Sequence, residues 1–386
     1  MALAVLLVVS HLNIFAGPEL KKSFPLRRYP LVSILIPARN EARNIADCLE
    51  GLLQQSYQNM EILLLDDESS DNTADIARSY CRKDRRIRLI EGRPLPSGWT
   101  GKNWACHQLS QHAGGEILIF TDADNRYHPR AVHNTLGWMQ HYRLGMLSAF
   151  PQQITKTFAE KLVIPVIDIL LYTLLPLWKT YRSARSSLAA ANGQWIAFTR
   201  DAYQHIGGHR AVKNWMVEDI ELSRRAKSYR LNILTLAGTG IVFGRMYRSI
   251  GEIWNGLSRS LFGLVSYRSY LFFAILTSFF LISVLPYLLL IIPGWLPLTA
   301  AAIALNLYLR LILAIKYRHH LLESVIFHPL AVSFVIAIGI NSFLQIKQNR
   351  VFWKNRQITT QTLNLRNKSW NHRIQSNTKE AIDEFL

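Results

Sequence analysis

The chain has 386 residues, 49% of them hydrophobic, and 44 Lys and Arg against 26 Asp and Glu give a net charge of +18. That length suits one large domain or two ordinary ones, and the apolar share exceeds what a simple soluble enzyme needs. No recognition-helix, zinc-finger or RNP-like pattern accompanies the charge, so nucleic acid is excluded as the expected partner and a membrane surface takes its place.

The first segment, "MALAVLLVVSHLNIFAG" (1–17), is apolar but short. It lacks a basic n-region and a small-x-small cleavage site, and reads as a marginal N-terminal membrane anchor, not a signal peptide. From residue 30 strand-like and helix-like segments alternate. "LVSILIPA" is a continuous apolar run, and "NEARNIADCLEGLLQQS" has helical spacing at Ile45, Cys48, Leu49, Leu52 and Leu53. "MEILLLDDESSDNT" is a second buried strand ending in an acidic turn, with "ADIARSYCRK" helical behind it. "IRLIEG" is a third strand, "GKNWACHQLSQHA" a helix and "EILIF" a fourth strand. Fully apolar strands alternating with helices imply a parallel α/β sheet covered on both faces. Ligands bind such sheets outside the carboxyl ends of the strands. "ARNE", "DDESSD" and "TDADN" occupy those ends here.

Asp122 and Asp124 are one residue apart, and on a strand such positions face the same way. A turn or N-cap is the ordinary role for such residues. At the end of a buried strand, however, two like charges need a counter-charge. A hard divalent cation, Mg2+ or Mn2+, shared with substrate phosphates supplies one. Asp66 and Asp67 sit early enough in their loop to face the same crevice and accept hydrogen bonds from a base or ribose, whereas Asp71 and Asn72 suit helix capping. Lys102, after Gly98 and Gly101 in a loop that opens a helix, suits a diphosphate, with an exposed surface lysine as the alternative. Glu218 and Asp219 begin a helical segment, where acids are favourable in any case. Their functional role would be a carboxylate base for an acceptor hydroxyl.

Further on, "FAEKLVIPVIDILLYTLLPLW" (158–178) is apolar but holds Pro165, Asp168 and Pro176, and reads as an interfacial element at the bilayer surface, with a buried helix pair as the alternative. Three later runs, 270–292, 296–315 and 330–346, approach the roughly 20 residues that cross a bilayer. Lys316, Arg318, Lys347, Arg350, Lys354 and Arg356 flank them, as basic residues do on the cytoplasmic side. Three full spans put the basic tail (347–386) outside, whereas its charge places it inside. Either the third run, opened by His328-Pro329, is re-entrant or the boundaries differ. Cys48, Cys81 and Cys106 have no C-x-x-C spacing and read as reduced packing thiols.

"VSILIPARNEARNI", "ILLLDDESSDNTADIA", "ILIFTDADN", "GGH" and "VEDIELSRRAK" resemble, in order, the motifs of glycosyltransferase family 2, over residues 30–260. "GWTGKNWAC", "AAANGQW", "GGHRAV", "RMYRSIGEIWNG" and "FWKNR" further resemble membrane-attached bacterial members that glycosylate carotenoids or hopanoid-type lipids. The resemblance implies a GT-A catalytic fold followed by transmembrane helices, and an inverting, metal-dependent transfer from a nucleotide-diphospho-sugar such as UDP-glucose. By it, Asp67 with Asp66 would hold the uridine side, and Pro37, Asn40 and Glu41 would line the nucleotide pocket. Asp122 and Asp124 would bind the metal, Lys102 would approach the diphosphate, and Asp219 would be the base with Glu218 beside it. His209 and Asn192-Gly193 would lie near the donor sugar or acceptor.

Processive members carry Gln-x-x-Arg-Trp after the base; "RSIGEIW" stands there instead, which favours a single transfer. Arg248 and Trp254 are the residues of that stretch that invite comparison. The expected protein is thus an integral protein of the inner membrane, its catalytic domain cytoplasmic, acting on a lipophilic acceptor. Polyprenyl phosphate or a polysaccharide as acceptor, and a silent nucleotide-binding scaffold, are the competing readings.

Overall fold

The computed structural model describes residues 2–353 and 356–358, apart from 182, 184 and 349. Lys354 and the expected tail from 359 onward lie outside them.

An N-terminal helix α1 (Ala2–Ala16) precedes β1 (Val32–Ala38), α2 (Ile45–Leu53), β2 (Met60–Asp66), α3 (Thr73–Lys83), β3 (Ile87–Glu91), α4 (Gly101–His112) and β4 (Ile117–Thr121). Next come β5 (Asn125–Tyr127), α5 (Ala131–Tyr142), β6 (Met146–Phe150), β7 (Gln152–Gln153), α6 (Phe158–Leu174) and β8 (Trp195–Thr199). Then follow α7 (Arg200–His205), α8 (Gly208–Ala211), α9 (Glu218–Ser228), β9 (Ile233–Ala237) and β10 (Val242–Gly244). The remaining long helices are α10 (Ile250–Leu264), α11 (Ser269–Ser283), then a short α12 (Leu285–Leu288), α13 (Leu296–Tyr317) and α14 (His328–Lys347).

The main sheet has seven strands in the order β3-β2-β1-β4-β8-β6-β9. Along β1, Ile34 and Ile36 join one core and Leu35 the other, so both faces of the strand are buried. Each such side chain contributes about 1.5–3 kcal/mol of burial before its entropy cost. β2 and β4 both pair with β1 in parallel. The sheet is wound in opposite directions from β1, so the crevice where ligands enter lies between β1 and β4. Register makes this specific. Ala38 pairs with Asp66, and Val32 pairs with Ile117, so the same spacing sets Pro37 level with Asp122. The sheet is mostly parallel, as expected, and β8 is the exception, running antiparallel to both β4 and β6. A small sheet β5-β10-β7 flanks this edge.

A second core joins α6 and α10 to the late helices through residues such as Val163, Ile169, Ile253, Leu313 and Val335. α6 begins with a capping box: Thr157 Oγ1 accepts from the Glu160 N–H (3.3 Å), while Glu160 Oε2 accepts from the Lys156 N–H (2.7 Å). Asn13 of α1 closes its other end, donating to the Tyr172 and Leu175 carbonyls at 2.8 Å and accepting from the Leu177 N–H. Most of α6 is therefore packed inside a helical layer. Among the described residues two helices, α13 and α14, are long and apolar enough to cross a membrane. A third span arises only if α10 and α11, bent by 119°, count as one. The run 270–292 is broken into α11, α12 and a 3-10 turn, while the run beginning at His328 is one continuous helix.

Candidate active site

The loop after β1 and the loop after β2 are laced together. Asn40 takes a left-handed conformation (φ 53°), and its Oδ1 accepts from the Ser70 N–H at 2.8 Å. Its own N–H donates to Ser69 Oγ (2.9 Å), and that of Glu41 donates to Thr73 Oγ1 (2.8 Å). Asp71, not Asn72, bonds the start of α3: its Oδ1 accepts from the Thr73 N–H at 3.0 Å. Asn40 is thereby committed to holding two loops in place. Asp66 Oδ1 is buried with no hydrogen-bond partner among the described residues, and Asp67 is 2% exposed.

Lys102 is set by the start of α4. Thr100 caps that helix, and Asn103 Nδ2 donates to the Val212 and Trp215 carbonyls (2.8 and 3.0 Å), tying α4 to the segment that leads into α9. Lys102 Nζ consequently lies 2.9 Å from Asp122 Oδ1 and 3.1 Å from Glu218 Oε1. Burial opposes its charge, but these two carboxylates outweigh that and hold the ammonium well above its ordinary range. The positive partner that Asp122 needs is thus in part a lysine.

Asp219 stands beside them at the start of α9. Its Oδ2 accepts from the Gly193 N–H and its Oδ1 from the Ile220 N–H, both at 2.8 Å. Burial first, then the Glu218 charge, push its carboxyl up to about 7. Gly193 is closely surrounded: a Cβ there would lie 3.0 Å from Lys102 Nζ and 3.2 Å from Glu218 Oε1, so those side-chain ends would have to give by a few tenths of an ångström.

His209 is buried against Phe120, with ring centroids 4.6 Å apart. The Tyr203 hydroxyl accepts from the His209 N–H (3.1 Å) and shares a second hydrogen bond with the imidazole Nδ1 (2.8 Å), whose direction is set by the ring tautomer. Burial and the Lys102 charge lower this imidazole to about 3, keeping it neutral. Tyr203 carried no signal in the sequence; it becomes visible only where the turn at Gly207 and Gly208 folds His209 back onto it.

Pro37, Lys102, Asp122, Gly193, His209, Glu218 and Asp219 line one small pocket. Asn40, Glu41, Asp66, Asp67 and Asp124 are outside that lining, in the adjoining loops. Asp124 remains electrically in the group: burial first, then Asp122 and Glu41, push its carboxyl up to about 7. Among the described residues no three His, Cys, Asp or Glu side chains are clustered as a ready metal site. The residues nevertheless fit a hard cation, because Asp124 Oδ1 is buried without a partner beside the Asp122 carboxylate. The three cysteines are free thiols.

Residues 33–185 match the family described as Glycosyl transferase family 2. The 4,4'-diaponeurosporenoate glycosyltransferase of Staphylococcus aureus (strain USA300) is 28% identical over 231 residues, 58% of this chain and 59% of that protein. The protein of the same description from Staphylococcus haemolyticus (strain JCSC1435) is 28% identical over 228 residues, 56% of this chain and 57% of its own length. The chain therefore spans less than two thirds of the length of the curated relatives it matches. The mannosyltransferase PcManGT from Pyrobaculum calidifontis, solved in complex with GDP-Man and Mn2+, superposes with a TM-score of 0.53 at 18% identity. That likeness covers 89% of this chain and 99% of the other. Residues 33–185 are thus similar to glycosyltransferase family 2, and the chain has a mostly parallel α/β fold of the GT-A type.

Proposed function

We propose that the protein transfers a single sugar, with inversion, from a nucleotide-diphospho-sugar, UDP-glucose being the expected example, to the hydroxyl of a lipophilic acceptor such as a carotenoid. The observation that carries this reading is the meeting of Lys102, Asp122 and Glu218 within 3.1 Å, with Asp219 alongside, in a family 2 domain. Asp219 takes the proton from the acceptor oxygen as it attacks the anomeric carbon; its raised affinity for a proton suits a base working near neutrality. Lys102 offers an ammonium to the departing diphosphate. Asp124 and Asp122 are the residues that would hold Mg2+ or Mn2+, which supplies Lewis-acid stabilisation of that leaving group. Asp66 and Asp67 would meet the nucleoside. The named activity of the staphylococcal relatives supports a carotenoid-type acceptor.

α13 and α14 support a membrane location. Two crossings return the chain to its starting side and place Lys347, at the end of α14, on that side, which supports a catalytic domain facing the cytoplasm; Lys316, at the end of α13, falls on the other. α6 and α10 would then bring the crevice to the bilayer surface.

The substrate name of the staphylococcal relatives ends as a carboxylate, and a carboxylate acceptor, already ionised, needs no base. Asp219→Asn separates the two chemistries. With a hydroxyl acceptor, transfer falls about a thousandfold while donor binding persists. Turnover like that of the unaltered protein removes the base assignment and leaves an anionic acceptor.

A further inference from the structure

The stretch "RMYRSIGEIWNGLSRS" (245–260) leads from the small sheet into α10. Two of its conspicuous residues are engaged away from the pocket. Arg248 Nη2 donates to Asn44 Oδ1 (2.6 Å), and Trp254 packs edge-on against Phe334 with centroids 5.5 Å apart. Arg259 is different. It is half-buried, yet it makes no hydrogen bond or ion pair among the described residues.

Its place on the helix is well defined. Gly256, Arg259 and Gly263 follow an i, i+3, i+7 spacing and share one face of α10. Both glycines mark close contacts. A Cβ at Gly256 would stand 2.1 Å from Tyr247 Cε1, and one at Gly263 would stand 2.8 Å from Val217 Cγ2. Val217 immediately precedes Glu218. Arg259 therefore lies between the Tyr247 contact and the contact at the head of α9. Another side of α10 is fixed to α14, where Asn341 Nδ2 donates to Ser258 Oγ (2.8 Å) and the Phe262 N–H donates to Ser342 Oγ (3.1 Å). Burial weakens the Arg259 charge, while the Tyr247 hydroxyl and the Glu218 carboxylate favour it; Tyr247 in turn feels Asp124.

We propose that Arg259 is a second cation of the donor site, holding the diphosphate from the α10 side while Lys102 approaches it from α4. This rests on the glycosyl-transfer reading above. A half-buried guanidinium without a partner is costly until a ligand oxygen reaches it. Its planar fork matches two phosphate oxygens, and it stays charged throughout. Lys102 alone is shared between two carboxylates, so an incoming diphosphate needs a cation that is not already spoken for.

The test uses full-length protein in detergent with Mn2+, titrated with UDP and GDP, and with uridine and guanosine as references lacking the diphosphate. Arg259→Met should weaken whichever diphosphate the unaltered protein binds by about 10- to 100-fold and leave its nucleoside unchanged. Arg259→Lys should lose less. Equal diphosphate affinity in Arg259→Met overturns the inference, as does a parallel loss of nucleoside and diphosphate, which marks a structural role. Failure of the unaltered protein to bind either diphosphate overturns the glycosyl-transfer reading itself.

Discussion

The crevice and the helical layer both bury carboxylates, and they treat them in opposite ways. In the helical layer three acids have Lys or Arg as partners and a fourth has a histidine. Glu160 meets Arg245 at 2.8 Å, Glu323 meets Lys161 at 3.1 Å, Asp168 meets His319 at 2.7 Å and Glu19 meets Lys316 at 2.5 Å. In the crevice Asp122 and Glu218 share Lys102, and Asp124 keeps an oxygen with no hydrogen-bond partner among the described residues. Burial raises the Glu160 carboxyl, but Arg245 and the bonds from Lys156 and Thr157 outweigh it and hold the group below its ordinary range. Asp124 and Asp219 are driven the other way. Matched charges hold a structure together; an unbalanced set is what a charged ligand completes.

The sharpest way to break this contrast is to remove one acid from each region. Asp124→Asn should lower transfer by about 100-fold or more and weaken Mn2+ binding measured without substrate. Its melting temperature should hold or rise, because a repelled buried carboxylate has been neutralised. Glu160→Gln should do the reverse. It removes the charge, and one of the two oxygens, that Arg245 Nε and Nη2 meet, at a cost of about 3 kcal/mol in stability, with donor affinity per folded molecule retained. If Asp124→Asn unfolds as readily as Glu160→Gln, the distinction between the two regions fails.

The sequence displays these regions unequally, for physical reasons. β1, β2 and β4 were legible because each is an apolar run that ends in an acid-bearing turn, and β3 because it stands between two helix-like segments. β6, β8 and β9 were not: "MLSAF", "WIAFT" and "ILTLA" are five-residue runs in a chain rich in apolar helices, where period alone cannot separate strand from helix. β8 also runs antiparallel, which no local pattern announces. The site acids were visible because they stand at strand ends. Lys102 was visible as a cation near a helix start, but its contact with Glu218 depends on Asn103 reaching the Val212 carbonyl, 109 residues away. Arg259 offered only one more arginine in a basic stretch until the two glycine contacts gave its face a direction.

pH separates the regions by the sign of its effect. Asp219 must be ionised to act as a base, so transfer to a hydroxyl acceptor should rise with pH up to about 7 and then level off. For stability, Asp124 and Asp219 keep in the folded protein a proton that the unfolded chain releases near the ordinary value of 3.8. Their contribution therefore declines as pH rises from that value toward about 7. Glu160 has the opposite sign: its contribution is present above the ordinary value of 4.5 and is lost as pH falls through its depressed folded value. Melting temperatures followed from acid to neutral pH in Asp219→Asn and Glu160→Gln should change slope in opposite directions. The same direction of change in both would mean that the two acids feel one common field.

The smallest expected effect grades the pairs within the helical layer. Glu323 and Lys161 are 17% and 22% exposed at their side chains, whereas Glu160 is 1% exposed. Water that reaches the first pair screens it and takes over when one partner is lost, and Lys161 can turn its ammonium outward. Glu323→Gln should therefore cost no more than about 1 kcal/mol, against the larger loss from Glu160→Gln. Donor affinity should be untouched, since neither residue lines the pocket. Chemical denaturation of the two variants side by side makes the comparison. If Glu323→Gln proves as damaging as Glu160→Gln, the layer depends on having each acid matched, wherever it sits. If only Glu160→Gln is damaging, burial decides, and the Glu160–Arg245 pair is a buried tie between α6 and the segment that carries Tyr247 and leads into α10.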